Sequence, residues 1–486
     1  MNISLKLFSL LFTFILVMGP GRHAHAQDIY YSKEERFNFQ NGDYSVIGQT
    51  GHYIYTYSAS NKGYFLNAYN DSMALEAKIA LDFFPERVAD AQFINYPDQI
   101  IVLFQAEMRN YIVQYAALLD DRALLIHKPI AIDSVKSSWF GGSQKYFSVT
   151  VSPDKSKIMV YGLGKKDLSA TLIDNGLHIL HHGRHNISSS GNDNIHQALL
   201  DNSGRFYFSI AAEAGNKDYA ADFHLYQLSE DGHNLGEKMF PADQQYYSGL
   251  YSKINRANGQ IYSAGFYSGH KNGNLEGVIY FTYDPGNRNF SNIKRIPFTK
   301  EVLNDADTRN KKKAFNDEQV RDLVIKNDGG FLLVSEDAYV SSRTEMTPGW
   351  GYYSWYYAPV YPDRTIYEYH YGDVLIMDFD TRGTIQWHRF IRKDQYSQDD
   401  NGIFSSYAFL NSGSSLVFLY NDFNNRSSSI KVAAMDAAGQ LQLQTLNTGN
   451  IGNADWLPRK AVQVDKATWV IPVLNRNNLF FAKVVF

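Results

Sequence analysis

Four histidines crowd into residues 178–185, and histidine is the residue type that most often binds metals or carries protons near neutral pH. They are His178, His181, His182 and His185. Alternate residues of a strand share a face, so His181 would pair with His185 and His178 with His182. No nearby carboxylate completes a ligand set of the kind that holds zinc. A solvated outer strand is the favoured interpretation, and we predict no metal site and no cofactor.

Five polar side chains fall near the predicted first strands of repeating four-stranded units, which would line a shared central channel. They are Gln92, His196, Arg321, Ser406 and Arg459. Together they form a candidate site at the channel mouth. Side chains at such places also serve as structural hydrogen-bonding groups, which is the favoured interpretation.

Motifs that would indicate catalysis are missing. The sequence has no His-Glu-x-x-His, no Gly-x-Ser-x-Gly and no phosphate-binding glycine loop. Acidic pairs such as Asp399 and Asp400 arise by chance among 50 acidic residues. Cysteine is absent, which excludes a thiol nucleophile, disulfides and cysteine metal sites. We predict a non-catalytic protein, with a hydrolase acting on glycan or peptide at the channel mouth as the alternative.

An aromatic insertion at residues 340–371 is the main local candidate for binding. The residues that we predict to contact a ligand are Trp350, Tyr352, Tyr353, Trp355, Tyr356 and Tyr357. A loop of this length is rare in a compact unit unless it is functional or disordered, and disordered loops are poor in aromatics. Tyr and Trp suit stacking on sugars, peptides or another protein. The alternative is a structural lid, with Tyr367 to Tyr371 extending a strand.

These residues need a scaffold, and the spacing of Asp-containing turns indicates one. The turns lie at Asp71, Asp120, Asp174, Asp231, Asp284, Asp380 and Asp436. Successive turns are 49 to 57 residues apart, except for one interval of 96 that holds the insertion. Near-equal units of four short strands are typical of a β-propeller, an all-β fold of four-stranded antiparallel blades. Gly204 and Gly383 lie in hairpin turns and should have positive φ.

The two chain ends predict how the ring closes. After the last Asp turn the chain offers only three strands, at 461–464, 468–471 and 479–485. Residues Ile29 to Phe39 form one unpaired strand at the other end. We predict that this N-terminal strand completes the last blade, which removes exposed sheet edges. The count is then eight blades, with seven as the alternative.

The first 26 residues read as a secretory signal peptide. Lys6 precedes an apolar run from Leu7 to Met18, and Ala24-His25-Ala26 resembles a cleavage site. Without this segment the net charge is 44 − 50 = −6, which does not indicate a nucleic-acid partner. No later stretch of 18 apolar residues predicts a membrane span. We expect a periplasmic or secreted monomer whose partner is a protein or glycan of the cell envelope.

The remaining chain, 27–486, is predicted to be one propeller domain with a charged linker at 300–318. Aromatic residues make up 15% of the sequence and charged residues 20%, which suits a well-buried β protein. The runs Asp328-Gly329-Gly330-Phe331-Leu332-Leu333-Val334-Ser335-Glu336 and Tyr371-Gly372-Asp373-Val374-Leu375-Ile376 carry a family resemblance. With Gly383-Thr384-Ile385-Gln386-Trp387 and Tyr420-Asn421-Asp422, they resemble uncharacterised exported β-propeller proteins common in Bacteroidetes. The resemblance implies a propeller in the envelope, acting as a binding or scaffold module, and it implies no catalytic residues.

Overall fold

The computed structural model describes residues 28–38, 42–137, 145–164, 166–188, 195–214, 219–241, 243–306, 315–345, 364–424, 427–449, 451 and 454–486. The predicted signal peptide lies outside these residues. So do the predicted ligand-binding residues Trp350, Tyr352, Tyr353, Trp355, Tyr356 and Tyr357, for which binding stays a prediction.

In the described part of the chain antiparallel strands group into eight units, and in the first seven of them four successive strands pair in chain order. Units one to four comprise Asp43–Thr50, Tyr53–Ser60, Gly63–Tyr69, Leu75–Ala80; Asp90–Asn95, Gln99–Met108, Tyr111–Asp120, Leu125–Lys136; Ser148–Val151, Lys157–Leu163, Asp167–Asp174, Ile179–Asn186; and Ile195–Leu200, Phe206–Ala214, Tyr219–Leu228, Leu235–Met239. Units five to seven comprise Tyr246–Ile254, Ile261–Ser268, Gly277–Asp284, Asn289–Pro297; Glu318–Ile325, Phe331–Glu345, Arg364–Phe379, Ile385–Ile391; and Tyr407–Asn411, Ser415–Asn424, Ser427–Asp436, Leu441–Thr445.

Unit eight differs from the others because its strands come from both ends of the chain. Its inner position is divided between Asp455–Trp456 and Val462–Asp465, with the 3-10 helix Pro458–Lys460 between them. Its other strands are Thr468–Asn475, Asn478–Val485 and the N-terminal pieces Asp28–Tyr31 and Glu35–Arg36. A single bridge, Ala220 to Tyr247, joins units four and five into one sheet.

Second strands are continuous apolar runs because both of their faces are covered by neighbouring units. In unit three, Ile158, Met159 and Val160 are all fully buried. The outer strand Ile179–Asn186 instead alternates between exposed and half-buried residues. The sequence therefore separates covered strands from solvated ones by their apolar pattern.

The Asp turns work through one carboxylate oxygen. Oδ1 of Asp380 accepts hydrogen bonds from the backbone N–H groups of Arg382 and Thr384, at 2.9 and 2.8 Å. Asp120, Asp174 and Asp436 make the same pair of bonds. Gly383 has a φ of +77° and Gly204 a φ of +101°, which confirms the predicted left-handed turns.

Hydrophobic clusters lie between consecutive units, and one lies between the last unit and the first. Each of eight clusters in the described part of the chain joins one unit to its neighbour. The last of them packs Val46 and Ile54 of unit one against Val470 and Phe481 of unit eight. The predicted fold class, an all-β propeller of four-stranded antiparallel blades, is confirmed. The blade count stays a prediction, and this packing favours eight over seven.

The N-terminal strand pairs where the sequence predicts. Asp28 to Tyr31 lies antiparallel to Ala482 to Val485, and Glu35 and Arg36 lie opposite Leu479 and Asn478. Ser32 also bonds to Phe481 through its backbone N–H and its hydroxyl, each at 2.9 Å. The predicted pairing of the two chain ends is confirmed.

Unit six departs from its neighbours because two of its strands extend far beyond the unit. Phe331–Glu345 and Arg364–Phe379 pair over their whole described length, and the short strand Gln395–Gln398 adds to the second. The alternative in which Tyr367 to Tyr371 extend a strand is confirmed, because Arg364–Phe379 runs through all of them. Residues 338–345, 364–371 and 395–398 form what we call the accessory sheet.

The charged segment before unit six is partly helical. Its first seven residues form the helix Lys300–Ala306, whose Val302 is buried in the core between units five and six. Residues 307–314 lie outside the described part. No helix within the described ranges is long and apolar enough to cross a membrane.

Candidate functional site

The accessory sheet is separated from unit six by a local irregularity. The register of the two long strands shifts between Glu336 and Ala338, where Asp337 faces two residues, Gly372 and Asp373, so the second strand carries the extra residue. Such bulges bend a strand and re-aim its side chains. Beyond this bend only three strands remain, and the neighbouring units no longer cover both faces of the sheet.

One face of the accessory sheet carries an aromatic row. Tyr339, His370 and Tyr396 lie directly opposite one another on the three strands. The rings of Tyr339 and His370 are stacked, with centroids 4.4 Å apart and planes 12° apart. The ring of Tyr396 lies 5.1 Å from His370 at 50°. Tyr339 is 42% exposed and Tyr396 46% exposed, so the two outer rings of the row remain accessible.

Polar groups stand beside this row on the same face. The carboxylate of Glu368 accepts hydrogen bonds from the hydroxyl groups of Tyr396 at 2.8 Å and Ser341 at 3.3 Å. Nε of Arg343 pairs with it at 3.1 Å. The Tyr396 hydroxyl and the Arg343 charge hold the pKa of Glu368 below its ordinary value. We call Tyr339, His370, Tyr396 and Glu368 the aromatic face.

The opposite face of the accessory sheet rests on cationic side chains. The ring of Tyr371 has Arg321, Lys393 and Arg459 near it, with charged groups 5.9, 5.9 and 5.5 Å from its centroid. The Tyr371 hydroxyl also accepts a hydrogen bond of 2.5 Å from Nη1 of Arg459. Cations stabilise aromatic rings through the ring quadrupole, so these contacts hold the accessory sheet against units six and eight.

A buried carboxylate lies beneath these cations. Glu336 is fully buried and accepts hydrogen bonds from Nε of Arg321 at 2.9 Å and Oγ of Ser406 at 2.7 Å. Nζ of Lys393 lies 2.7 Å from its other oxygen and donates to the side chain of Gln395 at 3.0 Å. Burial lowers the pKa of Lys393 from its ordinary value, while Glu336 opposes that change.

Neutral amides make the comparable link in other units. Gln105, on the second strand of unit two, accepts hydrogen bonds from the backbone of Tyr146 and Phe147, both at 2.9 Å, just before unit three. Asn421, on the second strand of unit seven, donates to the carbonyl of Trp456 in unit eight at 2.8 Å. Linking one unit to the next therefore does not require a charge. Unit six alone of these three uses a carboxylate with cations.

A second pair of carboxyl groups lies at the entry to unit six. Glu318 and Asp337 are directly opposite on neighbouring strands. Burial, with Asp337 as the next cause, raises the pKa of Glu318 to about 8. Burial and the neighbouring Asp317 raise the pKa of Asp337 to about 6. Within the described ranges, Oε2 of Glu318 has no hydrogen-bond partner.

The five predicted channel-mouth residues belong to five different units, and the structure brings three of them together. Arg321 and Ser406 share the carboxylate of Glu336, and Arg459 joins them through Tyr371. Gln92 instead donates to Asp90 of its own strand at 2.9 Å. His196 lies on the strand Ile195–Leu200 of unit four.

The histidine stretch occupies the outer strand of unit three, as predicted. His178 pairs with Asp174 at 3.0 Å, and His182 shares a hydrogen bond of 2.7 Å with Thr171. His181 lies against Gly232 of unit four, and burial lowers its pKa. Across the part of the chain that the structure describes, no group of His, Asp and Glu side chains is arranged to hold a metal ion.

No protein-family model matches the sequence, and no curated protein matches it. Similar solved structures include polysaccharide lyase Uly1, with 7% identity over 81% of this chain and 89% of that one and a TM-score of 0.40. The Dos1 propeller is 8% identical over 82% and 93%, with a TM-score of 0.39. The β-propeller domain of Nup133 from Vanderwaltozyma polyspora is 9% identical over 81% and 100%, with a TM-score of 0.41. At these identities and TM-scores the likeness carries no information on function.

Proposed function

We propose that this protein is an exported, non-catalytic binding propeller of the cell envelope that captures a glycan through its aromatic face. The observation that carries the proposal is the in-register row of Tyr339, His370 and Tyr396, whose outer rings stay exposed. The apolar face of an aromatic ring can stack on the C–H face of a sugar, and the hydroxyl group of a tyrosine can form a hydrogen bond at the ring edge.

The polar neighbours favour a sugar over a purely apolar ligand. Glu368, Ser341 and Gln398 stand beside the rings and provide a carboxylate, a hydroxyl and an amide. Ligand sites combine apolar surface with a few oriented polar groups in this way. A sugar, which carries hydroxyl groups around an apolar ring face, can use both.

The size of the face favours a glycan over a protein partner. Neighbouring strands lie about 4.8 Å apart, so a row across three strands spans roughly 10 Å. A stable protein interface buries about 800 Å² on each partner. A row of three rings is small for that purpose, but it can hold a short stretch of sugar chain.

Export and envelope location remain part of the proposal, and their support is the sequence of residues 1–26 with its apolar run and small-residue cleavage site. The resemblance to exported propeller proteins of Bacteroidetes points the same way.

Probing a glycan array with the labelled mature chain tests the proposal, with the Tyr339→Ala/Tyr396→Ala variant alongside. We expect the wild-type chain to bind a defined subset of glycans and the variant to lose that binding. Equal binding patterns would overturn the assignment of the face, and no glycan bound at all would overturn the ligand class.

A hydrolase is the second candidate, and the raised pKa values of Glu318 and Asp337 favour it. A carboxyl group that stays protonated near neutral pH can act as a general acid. Glu318 is only 5% exposed, however, which leaves little room for a substrate to touch it. Release of new reducing ends or peptide fragments, lost in Glu318→Gln, would establish the hydrolase and exclude the non-catalytic assignment.

A further inference from the structure

We propose that Arg321 and Arg459 form a carboxylate-binding site beside the ring of Tyr371. This site is separate from the aromatic face, because Tyr371 and His370 are consecutive residues of one strand and point to opposite faces. The inference therefore goes beyond the proposed glycan capture and does not depend on it.

Three cationic side chains surround the ring of Tyr371. Three cations, Arg321, Lys393 and Arg459, have their charged groups within 6 Å of the ring centroid. Glu336 is the carboxylate in direct contact with them, and it reaches Arg321 and Lys393. Among the residues that the structure describes, Arg459 forms no ion pair. Arg459 is therefore a cation that a bound anion could pair with.

Both arginines keep N–H donors without a partner in the described ranges. Arg459 donates from Nη1 to the Tyr371 hydroxyl and from Nη2 to the carbonyl of Asn401 at 3.4 Å, which leaves its Nε. Lys393 already has Glu336, the carbonyl of Tyr371 and the side chain of Gln395 around its amino group. Arg321 uses Nε for Glu336, while its Nη1 and Nη2 groups have no partner in the described ranges, and its side chain is 31% exposed. A guanidinium group has five N–H donors in a planar fork that fits both oxygens of a carboxylate.

The link between neighbouring units does not by itself require the charges of this cluster. Gln105 and Asn421 link their units to the next with neutral amides. Burying charged groups instead costs desolvation energy that an amide avoids. Glu336 orients the guanidinium group of Arg321, and the Tyr371 hydroxyl orients that of Arg459. Fixed guanidinium groups would bind an anion without first losing side-chain freedom.

A carboxylate could come from a uronic acid or from the C-terminus of a peptide, and the experiment separates these sources. Isothermal titration calorimetry of the mature chain would use D-glucuronate, an N-acetylated dipeptide with a free C-terminus, and neutral D-glucose as probes. We expect one of the two carboxylates to bind, glucose not to bind, and the affinity to fall with added salt.

The variants Arg321→Gln and Arg459→Gln should each weaken carboxylate binding about tenfold or more, since each removes a charged hydrogen-bonding partner. The matched control is Arg382→Gln, which changes an arginine whose side chain is 86% exposed in a turn of unit six. If Arg321→Gln fails to fold, the carboxylate affinity of Arg459→Gln still tests the proposal, because Arg459 is the more exposed of the two side chains. Unchanged affinity in Arg459→Gln would overturn the proposal, as would binding of neither carboxylate by the wild-type chain.

Discussion

The hydroxyl of Ser406 donates a hydrogen bond of 2.7 Å to the carboxylate of Glu336, 70 residues earlier in the chain. This contact connects the second strand of unit six to the residue just before unit seven. Lys393 faces the same carboxylate and is almost fully buried, with 1% of its side chain exposed. The charges are therefore mutually dependent, because neither can turn to water if the other is removed.

Replacing Glu336 by Gln should destabilise the protein by about 3–5 kcal/mol, since Lys393 would remain buried without its counter-charge. The double variant Glu336→Gln/Lys393→Met should recover most of this loss, because it removes both charges together. Urea unfolding of the two variants and the wild type measures the effect. If Glu336→Gln were as stable as the wild type, the buried ion pair would not contribute to the free energy of unfolding.

The N-terminal strand offers a matched pair of neighbouring tyrosines. Tyr31 contacts the rings of Trp456 and Phe480, with centroids 6.4 and 5.9 Å away, and its hydroxyl donates to the carbonyl of Thr448 at 2.9 Å. Tyr30 points to the other side of the strand and is 38% exposed.

Tyr31→Ala should therefore cost about 2–4 kcal/mol, and Tyr30→Ala less than about 1 kcal/mol. Deleting residues 27–40 should lower the melting temperature strongly and expose the apolar strand Asn478–Val485. A truncated protein that melts at the wild-type temperature would show that the N-terminal strand is dispensable for the last unit.

Glu318 should make the stability of the protein fall as pH rises. Its pKa in the folded protein is about 8, against an ordinary value of 4.5. Between these values the folded chain holds a proton that the unfolded chain releases, so the free energy of unfolding falls with increasing pH. Asp337 adds to this fall only up to about pH 6, where its own raised pKa lies.

Glu318→Gln should have about the stability of the wild type near pH 5 and be more stable than it by about 3–4 kcal/mol at pH 8. Urea unfolding at pH 5, 6, 7 and 8 gives the two curves. Parallel curves over this range would mean that Glu318 ionises in the folded protein as readily as in the unfolded chain.

The sequence predicts the fold well because its signals are local. Asp turns such as Asp380-Thr381-Arg382-Gly383 depend on a carboxylate that bonds to its own backbone two and four residues later. Second strands can be recognised as continuous apolar runs, because both faces of such a strand are covered by neighbouring units and require apolar side chains. The orphan strands at the two chain ends could be matched because each lacks a partner nearby in the sequence.

The candidate sites could be predicted only in part. Arg321, Ser406 and Arg459 come from three units, and their position near first strands was enough to group them. Glu336 could also have been predicted, because a charged residue follows closely on the apolar run Phe331-Leu332-Leu333-Val334 of a second strand.

The aromatic face was missed, because its members lie on three separate strands. Tyr396 belongs to the short strand Gln395–Gln398, which the sequence pattern does not single out. Its position opposite His370 depends on the register of strands that are 26 residues apart in sequence. The sequence pattern points instead to Trp350 and its neighbours, for which binding stays a prediction.

The central claim is that the aromatic face captures a glycan, and the affinity for a glycan selected from the array tests it most directly. Tyr339→Ala and Tyr396→Ala should each weaken binding at least about tenfold, because each removes an exposed ring of the row. Tyr367→Ala is the matched control, since this tyrosine is 49% exposed on the opposite face of the same sheet. All three variants should keep the wild-type melting temperature within a few degrees.

Calorimetric titration of that glycan into the wild type and the three variants is the deciding measurement. The account predicts strong losses for Tyr339→Ala and Tyr396→Ala and wild-type affinity for Tyr367→Ala. Equal affinity in all four proteins, or a loss confined to Tyr367→Ala, would contradict it.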